Sequence, residues 1–324
     1  MKPRIFVTRR LPEKGMTKLR EHFELDVWEG EDAPPKAEIL KRAADADGMV
    51  SLLTDPIDAE VIGAAKKLKI IAQYAVGYNN IDLAAAAQRG IIVTNTPEAL
   101  TNTTADFVFA LLMSIARRIP EADRHVREGK WKVAWAPHMF LGGDVHGKTL
   151  GIVGFGRIGV RLAYLSCGFG MKILYCDNKN NEQAERELGA KRVGLDELLR
   201  ESDFVSLNVP LSEQTRGMMG TKQLAMMKPT AYLINTSRGP VIDENALYEA
   251  LKTKRIAGAA LDVFNKEPLP MDSPFLTLDN VVLVPHIGSA TVETRERMAA
   301  MVAENLIAFF GGKTPPNVVG APKK

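Results

Sequence analysis

Three residues of the chain stand where a carbonyl or an alcohol could be worked on: Arg238, Glu267 and His286. Each follows a short apolar run. Leu233-Ile234-Asn235 leads into Thr236-Ser237-Arg238-Gly239, Ala259-Ala260-Leu261 into the stretch from Asp262 to Pro268, and Leu283-Val284-Pro285 into His286-Ile287-Gly288-Ser289. Such runs read as buried parallel strands, and parallel sheets place ligands at the carboxyl ends of their strands. A histidine there carries a proton near neutral pH, and an arginine holds and polarises an oxygen. Hydride addition to a C=O bond, or its reverse, needs such a proton carrier and such a cation beside the cofactor. Taken singly, each residue reads as structural: Arg238 in a surface ion pair, Glu267 in a turn before Pro268, His286 in a buried hydrogen bond. Three at one sheet edge turn the balance toward a site. The other histidines, His22, His125, His138 and His146, read as surface residues.

The second chemical signal is a glycine pattern. Thr149-Leu150-Gly151-Ile152-Val153 is followed by Gly154-Phe155-Gly156-Arg157-Ile158-Gly159 and then by an apolar helix bearing Val160, Leu162 and Leu165. A GxGxxG is weak alone, but here it sits between a strand and a helix, as a dinucleotide-binding turn must. Gly154 permits the tight turn, Gly156 lets the backbone approach a pyrophosphate, and Gly159 brings the helix close to the strand. The phosphates would rest on the helix amides near Arg157 and Ile158. The next strand, Ile173-Leu174-Tyr175-Cys176, ends in Asp177, whose carboxylate would accept from the adenosine ribose hydroxyls and repel a 2′-phosphate. That favours NAD, with NADP admitted because Lys179 lies close by.

These groups need a scaffold, and the alternation of short β-branched runs with helical patterns supplies one. Ile5–Val7, Leu25–Val27, Gly48–Leu52, Ile70–Ala72 and Ile91–Val93 read as strands, with helices over Lys14–His22, Lys36–Ala43, Ala59–Ala65 and Leu83–Arg89. Thr101 or Asn102 would cap an apolar helix through Phe107, Leu111, Leu112 and Ile115, stopped before Pro120. A second series of strands runs over Thr149–Val153, Lys172–Cys176, Phe204–Leu207, Ala231–Ile234, Ala257–Leu261 and Val281–Val284. A final helix over Val292–Phe310 has no strand to follow, so it is expected to pack back on the first series. The fold expected is α/β, with two Rossmann-like/flavodoxin-like domains, parallel sheets and a cleft between them. A substrate (catalytic) domain would comprise residues 1–99 and 289–324, and a dinucleotide-binding domain residues 100–288.

Composition bounds the function. Of 324 residues, 46% are hydrophobic and 25% charged, which is ordinary for a globular chain. A formal charge of +3 over this length offers no field for nucleic acid or an anionic membrane. No apolar run reaches membrane-spanning length, and the stretch ending at Thr8 is too short for a secretory signal. Two cysteines, Cys167 and Cys176, build neither a disulfide framework nor a metal site, so a cytoplasmic location and no metal are expected.

The sequence resembles the D-isomer-specific 2-hydroxyacid dehydrogenases. The likeness is carried by Gly154–Gly159, Asn235-Thr236-Ser237-Arg238-Gly239, Ala260-Leu261-Asp262-Val263-Phe264, Glu267-Pro268 and Pro285-His286-Ile287-Gly288-Ser289-Ala290. Val76-Gly77-Tyr78-Asn79-Asn80-Ile81-Asp82 and Gly129-Lys130-Trp131 through Trp135 look most like the glyoxylate/hydroxypyruvate reductases within that family. The resemblance implies NAD(H)-dependent reduction of glyoxylate or hydroxypyruvate to the D-2-hydroxy acid, or the reverse. His286 would be the general acid, Glu267 its partner favouring the imidazolium, and Arg238 the group holding the substrate's carbonyl and carboxylate. Asp262 would orient the nicotinamide carboxamide. Asn178, Lys179, Val209, Pro210, Thr215, Thr236 and Gly288 complete the implied dinucleotide site, together with Phe155, Arg238 and His286. Amides of Val76 and Gly77 would bind the substrate carboxylate, with Leu53 lining the pocket. The family's members are usually homodimers, and Trp135 would come from the segment that reaches the partner.

Two alternatives share the frame. A phosphite or D-3-phosphoglycerate dehydrogenase would need stronger anion binding, and Ala75-Val76-Gly77-Tyr78 offers no Lys or Arg. An NAD(H)-sensing protein like the corepressors of this fold would keep the site without needing turnover. Asn79 stands where many relatives have Asp. Glu267 argues against formate oxidation, and no extra regulatory domain is in view.

Overall fold

The computed structural model describes residues 1–319; residues 320–324, the end of the Pro/Lys-bearing tail and of the expected 289–324 segment, lie outside the described residues. The chain forms two compact units, Met1–Leu100 with the chain from Ala290 onward, and Thr101–Ser289.

In the first unit five strands, β1 (Arg4–Val7), β2 (Glu24–Val27), β3 (Gly48–Ser51), β4 (Ile70–Gln73) and β5 (Ile92–Thr94), pair in parallel in the order β2-β1-β3-β4-β5. This is the flavodoxin-like order. Central strands are covered on both faces, so β3 and β4 are buried along their whole length and show no alternation. The helix Val292–Phe310 returns from the far end of the chain to this unit. Its Met298, Ala299, Val302, Ala303 and Leu306 join Ile5, Val7, Met16 and Leu19 in one core. Gly15 must be glycine for that contact, since a Cβ there would lie 2.5 Å from the Ala299 Cβ.

In the second unit seven parallel strands follow: β6 (Thr149–Val153), β7 (Lys172–Cys176), β8 (Lys191–Arg192), β9 (Phe204–Leu207), β10 (Tyr232–Asn235), β11 (Gly258–Leu261) and β12 (Val281–Leu283). Their order is β12-β11-β10-β9-β6-β7-β8. The chain leaves β6 toward β7 and β8, then crosses to β9, so the switch point where dinucleotides bind lies between β6 and β9. The helix Thr101–Ala116 lies against this sheet through Val108, Leu112 and Ile115.

Two local expectations, on Thr101 or Asn102 and on His125, are corrected, and two elements, a second helix and strand β8, were not expected. Thr101 and Asn102 lie inside the first turn of their helix rather than ahead of it. The helix stops at Ala116, before Pro120 as expected, and Pro120 stands in the first turn of a new helix, Ile119–Arg127, where its missing N–H has no intrahelical partner to lose. Strand β8 is two exposed polar residues, formed by pairing with β7 and without any apolar pattern. His125 is also less exposed than expected, its ring packed on Phe140 with centroids 4.9 Å apart.

Candidate active site

The register of the second sheet brings the three chemical residues to one edge. Asn235 pairs with Leu261, and Leu261 with Leu283, so β10, β11 and β12 end level with one another. Arg238 lies three residues past its strand end, Asp262 one residue past, and His286 three past. Gly239 lets the Arg238 loop lie flat on the neighbouring loop, for a Cβ there would sit 2.0 Å from the Phe264 carbonyl carbon. Asn235 fixes the same loop from below: its Nδ2 donates to the Arg238 carbonyl at 3.0 Å and its Oδ1 accepts from Ser237 N and Oγ.

His286 and Glu267 form a pair, with Nδ1 of the ring 2.7 Å from Oε2 of the carboxylate. Glu267 Oε1 accepts from the Phe264 N–H at 3.0 Å, which orients the carboxylate toward the ring. Burial pushes the Glu267 carboxyl up, but the hydrogen bond and charge of His286, the Phe264 amide and the charge of Arg238 outweigh it and hold the group below its ordinary value. Burial pushes the Arg238 guanidinium down, against the charge of Glu267. A ring nitrogen engaged with a carboxylate leaves the other, Nε2, to face a reacting oxygen.

Asp262 is almost wholly buried, and its two oxygens accept from the Ile287 N–H at 2.7 Å and the Gly288 N–H at 2.9 Å. Those amides follow His286, whose backbone is left-handed with φ 54°. A non-glycine residue holds that conformation only when its surroundings impose it. Asp262 therefore clamps the histidine loop, a role that its place beside a strand does not signal. Burial pushes its carboxyl up, and the two amides and the charge of His286 only partly offset this.

The glycine loop lies at the switch point. Gly154 has φ 90°, and a Cβ on it would meet the Asn208 carbonyl oxygen at 2.7 Å; a Cβ on Gly159 would meet the Gly154 carbonyl oxygen at 2.4 Å. Both glycines are thus explained by the protein's own packing. Gly156 is exposed, and nothing lies within 4 Å of where its Cβ would be. Gly156 is the N-cap of the helix Arg157–Ser166, a place that favours glycine, and the open space beside it leaves the backbone clear for an external group such as a phosphate to approach. Phe155 is buried with its ring stacked on Tyr175 at 4.0 Å, and its amide donates to Asp177 Oδ2 at 2.7 Å. Phe155 serves this region by placing Asp177. Arg157, Asn178 and Lys179 are exposed, and Ile158 is half-buried. Across the switch point, Val209 is half-buried and Pro210 exposed, while the Thr215 hydroxyl donates to the Pro210 carbonyl at 2.7 Å and braces that loop. Thr236 is half-buried and Gly288 buried.

In the first unit Leu53, Val76 and Gly77 lie on half-buried loops. Sequence reasoning passed over the side chains that fix these loops. Asn95 Nδ2 donates to the Val76 carbonyl at 2.8 Å, and Gln73 Nε2 to the Gly77 carbonyl at 3.2 Å and to Asn80 Oδ1 at 2.8 Å. Asn80 Nδ2 in turn donates to the carbonyls of Leu52 and Asp55, both at 2.9 Å. The adjacent amide residues Asn79-Asn80 were the available hint. Trp135 is 75% exposed and far along the chain from these groups. Among the described residues no cluster of His, Cys, Asp and Glu could hold a metal ion, and no helix is long and apolar enough to cross a membrane.

The chain is similar over nearly its whole length to known proteins. A family model described as the NAD binding domain of D-isomer specific 2-hydroxyacid dehydrogenase matches residues 109–288. A glyoxylate reductase of Korarchaeum cryptofilum is 64% identical over 319 residues, spanning 98% of this chain and 96% of that protein. One from Thermococcus litoralis is 55% identical over 322 residues, spanning 98% and 97%. Among solved structures, the NADPH-dependent glyoxylate/hydroxypyruvate reductase of Sinorhizobium meliloti, in complex with NADP and malonate, matches with a TM-score of 0.87 at 33% identity, covering 99% of this chain and 97% of that one.

Proposed function

Because the chain belongs to the D-isomer specific 2-hydroxyacid dehydrogenase family, we propose that it reduces glyoxylate or hydroxypyruvate to the D-2-hydroxy acid, with His286 as the acid. The observation that carries the assignment of roles is the His286–Glu267 pair at 2.7 Å, on a sheet edge that also bears Arg238.

A bound reduced nicotinamide supplies the hydride. The rest falls to the chain's own side chains. Arg238 draws charge onto the carbonyl oxygen and stabilises it as it becomes an alkoxide. His286 delivers a proton to that oxygen from Nε2, while Glu267 stays ionised at Nδ1 and favours the imidazolium that must do so. In the reverse direction His286 takes the proton back. Asp262 keeps the loop carrying the ring in its left-handed turn. Asp177, at the end of β7, selects NADH over NADPH through the ribose hydroxyls.

The same reading makes the protein a cytoplasmic homodimer. The helix Ile119–Arg127 buries none of its residues, and the segment after it leaves Trp131, Trp135 and Leu141 more than half exposed. A second copy of the chain is the partner proposed for them.

The test is loss of NADH absorbance with purified protein offered glyoxylate, hydroxypyruvate, pyruvate and phenylpyruvate in turn. Turnover confined to the larger keto acids would keep the chemistry and refute the substrate. Tight NADH binding without turnover of any keto acid would bring forward phosphite oxidation or an NAD(H)-sensing role.

A further inference from the structure

Beside Asp177 a surface cavity of about 660 Å³ is lined by Cys176, Asp177, Asn180, Lys191 and Arg192 among others. It lies at the carboxyl ends of β7 and β8, on the side of the sheet where the glycine loop and Asp177 place an adenosine ribose. Arg192 is the unexplained residue in it. Its Nε and Nη2 donate to the Asp177 carbonyl oxygen at 3.0 and 2.8 Å, and its Nη1 donates to Asn180 Oδ1 at 2.8 Å.

Both acceptors of these three bonds, a backbone carbonyl and a side-chain amide, are neutral. Among the described residues no carboxylate lies within ion-pair distance of Arg192, although neighbouring Lys191 is paired with Glu197 at 3.0 Å. The guanidinium is therefore a full positive charge, fixed in direction by three bonds, with two of its five N–H donors uncommitted. A planar cation held this way suits the oxygens of a phosphate. Two carboxylates share the cavity and oppose it, and both are engaged elsewhere: Asp177 accepts from the Phe155 N–H at 2.7 Å and the Lys179 N–H at 3.3 Å, and Glu185 accepts from the Tyr175 hydroxyl.

We propose that Arg192 is the residue through which this chain accepts a 2′-phosphorylated adenosine, so that NADPH serves alongside the preferred NADH. The proposal rests on the reading of the β6–β7 edge as the dinucleotide site, and it gives that site a second, cationic determinant outside the glycine motif. The bland rival is that Arg192 merely staples the turn from Asp177 to Asn180. A staple would serve both cofactors equally, whereas a phosphate ligand serves one.

The deciding measurement is calorimetric titration of adenosine 2′,5′-bisphosphate and of AMP into the wild-type protein, Arg192→Gln and Arg192→Lys, beside kcat/KM for NADPH and NADH with glyoxylate. The expected result is that Arg192→Gln weakens the bisphosphate relative to AMP by at least about tenfold, equivalent to about 1.4 kcal/mol. The NADPH-to-NADH ratio of kcat/KM falls in step, and Arg192→Lys lies between. Equal weakening of both ligands, an unchanged ratio, or a wild-type protein that fails to bind the bisphosphate at millimolar concentration overturns the proposal. If the wild type reduces no keto acid with either cofactor, the reductase reading falls, while the bisphosphate titration still decides the role of Arg192.

Discussion

His286 and Glu267 face each other across 2.7 Å, nineteen residues apart in sequence and on loops that follow adjacent strands. The contact joins the sheet's register to its chemistry, because only level strand ends bring the ring and the carboxylate together. An ionised Glu267 favours the protonated ring, and the charge of His286 is among the causes that hold the Glu267 carboxyl below its ordinary value. Glu267→Gln keeps the shape and removes the charge. In keto-acid reduction the protonated ring is the active form, so kcat should fall at least about tenfold in this variant while its affinity for NADH is unchanged. His286→Ala should cost about 10²- to 10⁴-fold in kcat. An unchanged kcat in Glu267→Gln would deny the carboxylate its part.

Asp262 provides the second prediction. Its carboxylate satisfies two amides, those of Ile287 and Gly288, at a buried position. Asp262→Ala orphans both, at about 1–3 kcal/mol for each buried group left unpaired. Chemical denaturation should show that loss, and kcat should fall because the histidine turn is no longer imposed. The pH dependence has a definite sign. Burial sets the folded value of this carboxyl above its unfolded value, so its contribution to stability is present in acid and lost as pH rises through the folded value. The stability margin of wild type over Asp262→Asn should therefore be widest near the acid end and narrow toward neutrality. A margin that widens with pH would show that the amides outweigh burial.

The three glycines of the phosphate loop separate fold from ligand. Gly154→Ala places a side chain on a backbone of φ 90° and against Asn208, and Gly159→Ala drives one into the Gly154 carbonyl. Each should lower stability by about 1–3 kcal/mol. Gly156→Ala meets only open space, so its melting should stay within about 0.5 kcal/mol of wild type. Its affinity for NADH, followed by fluorescence titration, should nevertheless fall at least tenfold. Unaltered NADH binding in that variant would remove the phosphate from this loop.

These variants also mark how far the sequence could be read. Buried parallel strands such as β9 and β11 announce themselves as short apolar runs, because both faces are covered. The glycine loop and the residues at the strand ends were legible for the same reason: the motif fixes their place on the sheet. What a side chain points at was not legible. Asp262 reads as a carboxylate beside a strand, and only tertiary structure turns it onto two amides. Gln73, Asn80 and Asn95 look like ordinary polar residues until the loops they lace are seen. Strand β8 exists only because β7 lies beside it, which a two-residue polar segment cannot signal.

The last prediction concerns the apolar surface that the second unit leaves uncovered. In the helix Ile119–Arg127 no residue is buried, and Val126, Trp131, Trp135 and Leu141 are each at least half exposed. These side chains are the surface on which a second copy of the chain is proposed to dock. Covered by a second copy they would leave water at about 25 cal/mol per Å² of apolar area. Light scattering should therefore give twice the 35.5 kDa chain mass at micromolar concentration. Since these residues contribute little to their own unit's core, replacing Trp131 and Leu141 with Glu should split the dimer while leaving the far-ultraviolet spectrum intact. A wild-type protein that runs as a monomer, or a doubly substituted one that stays dimeric, would place the interface elsewhere and leave the segment without its proposed partner.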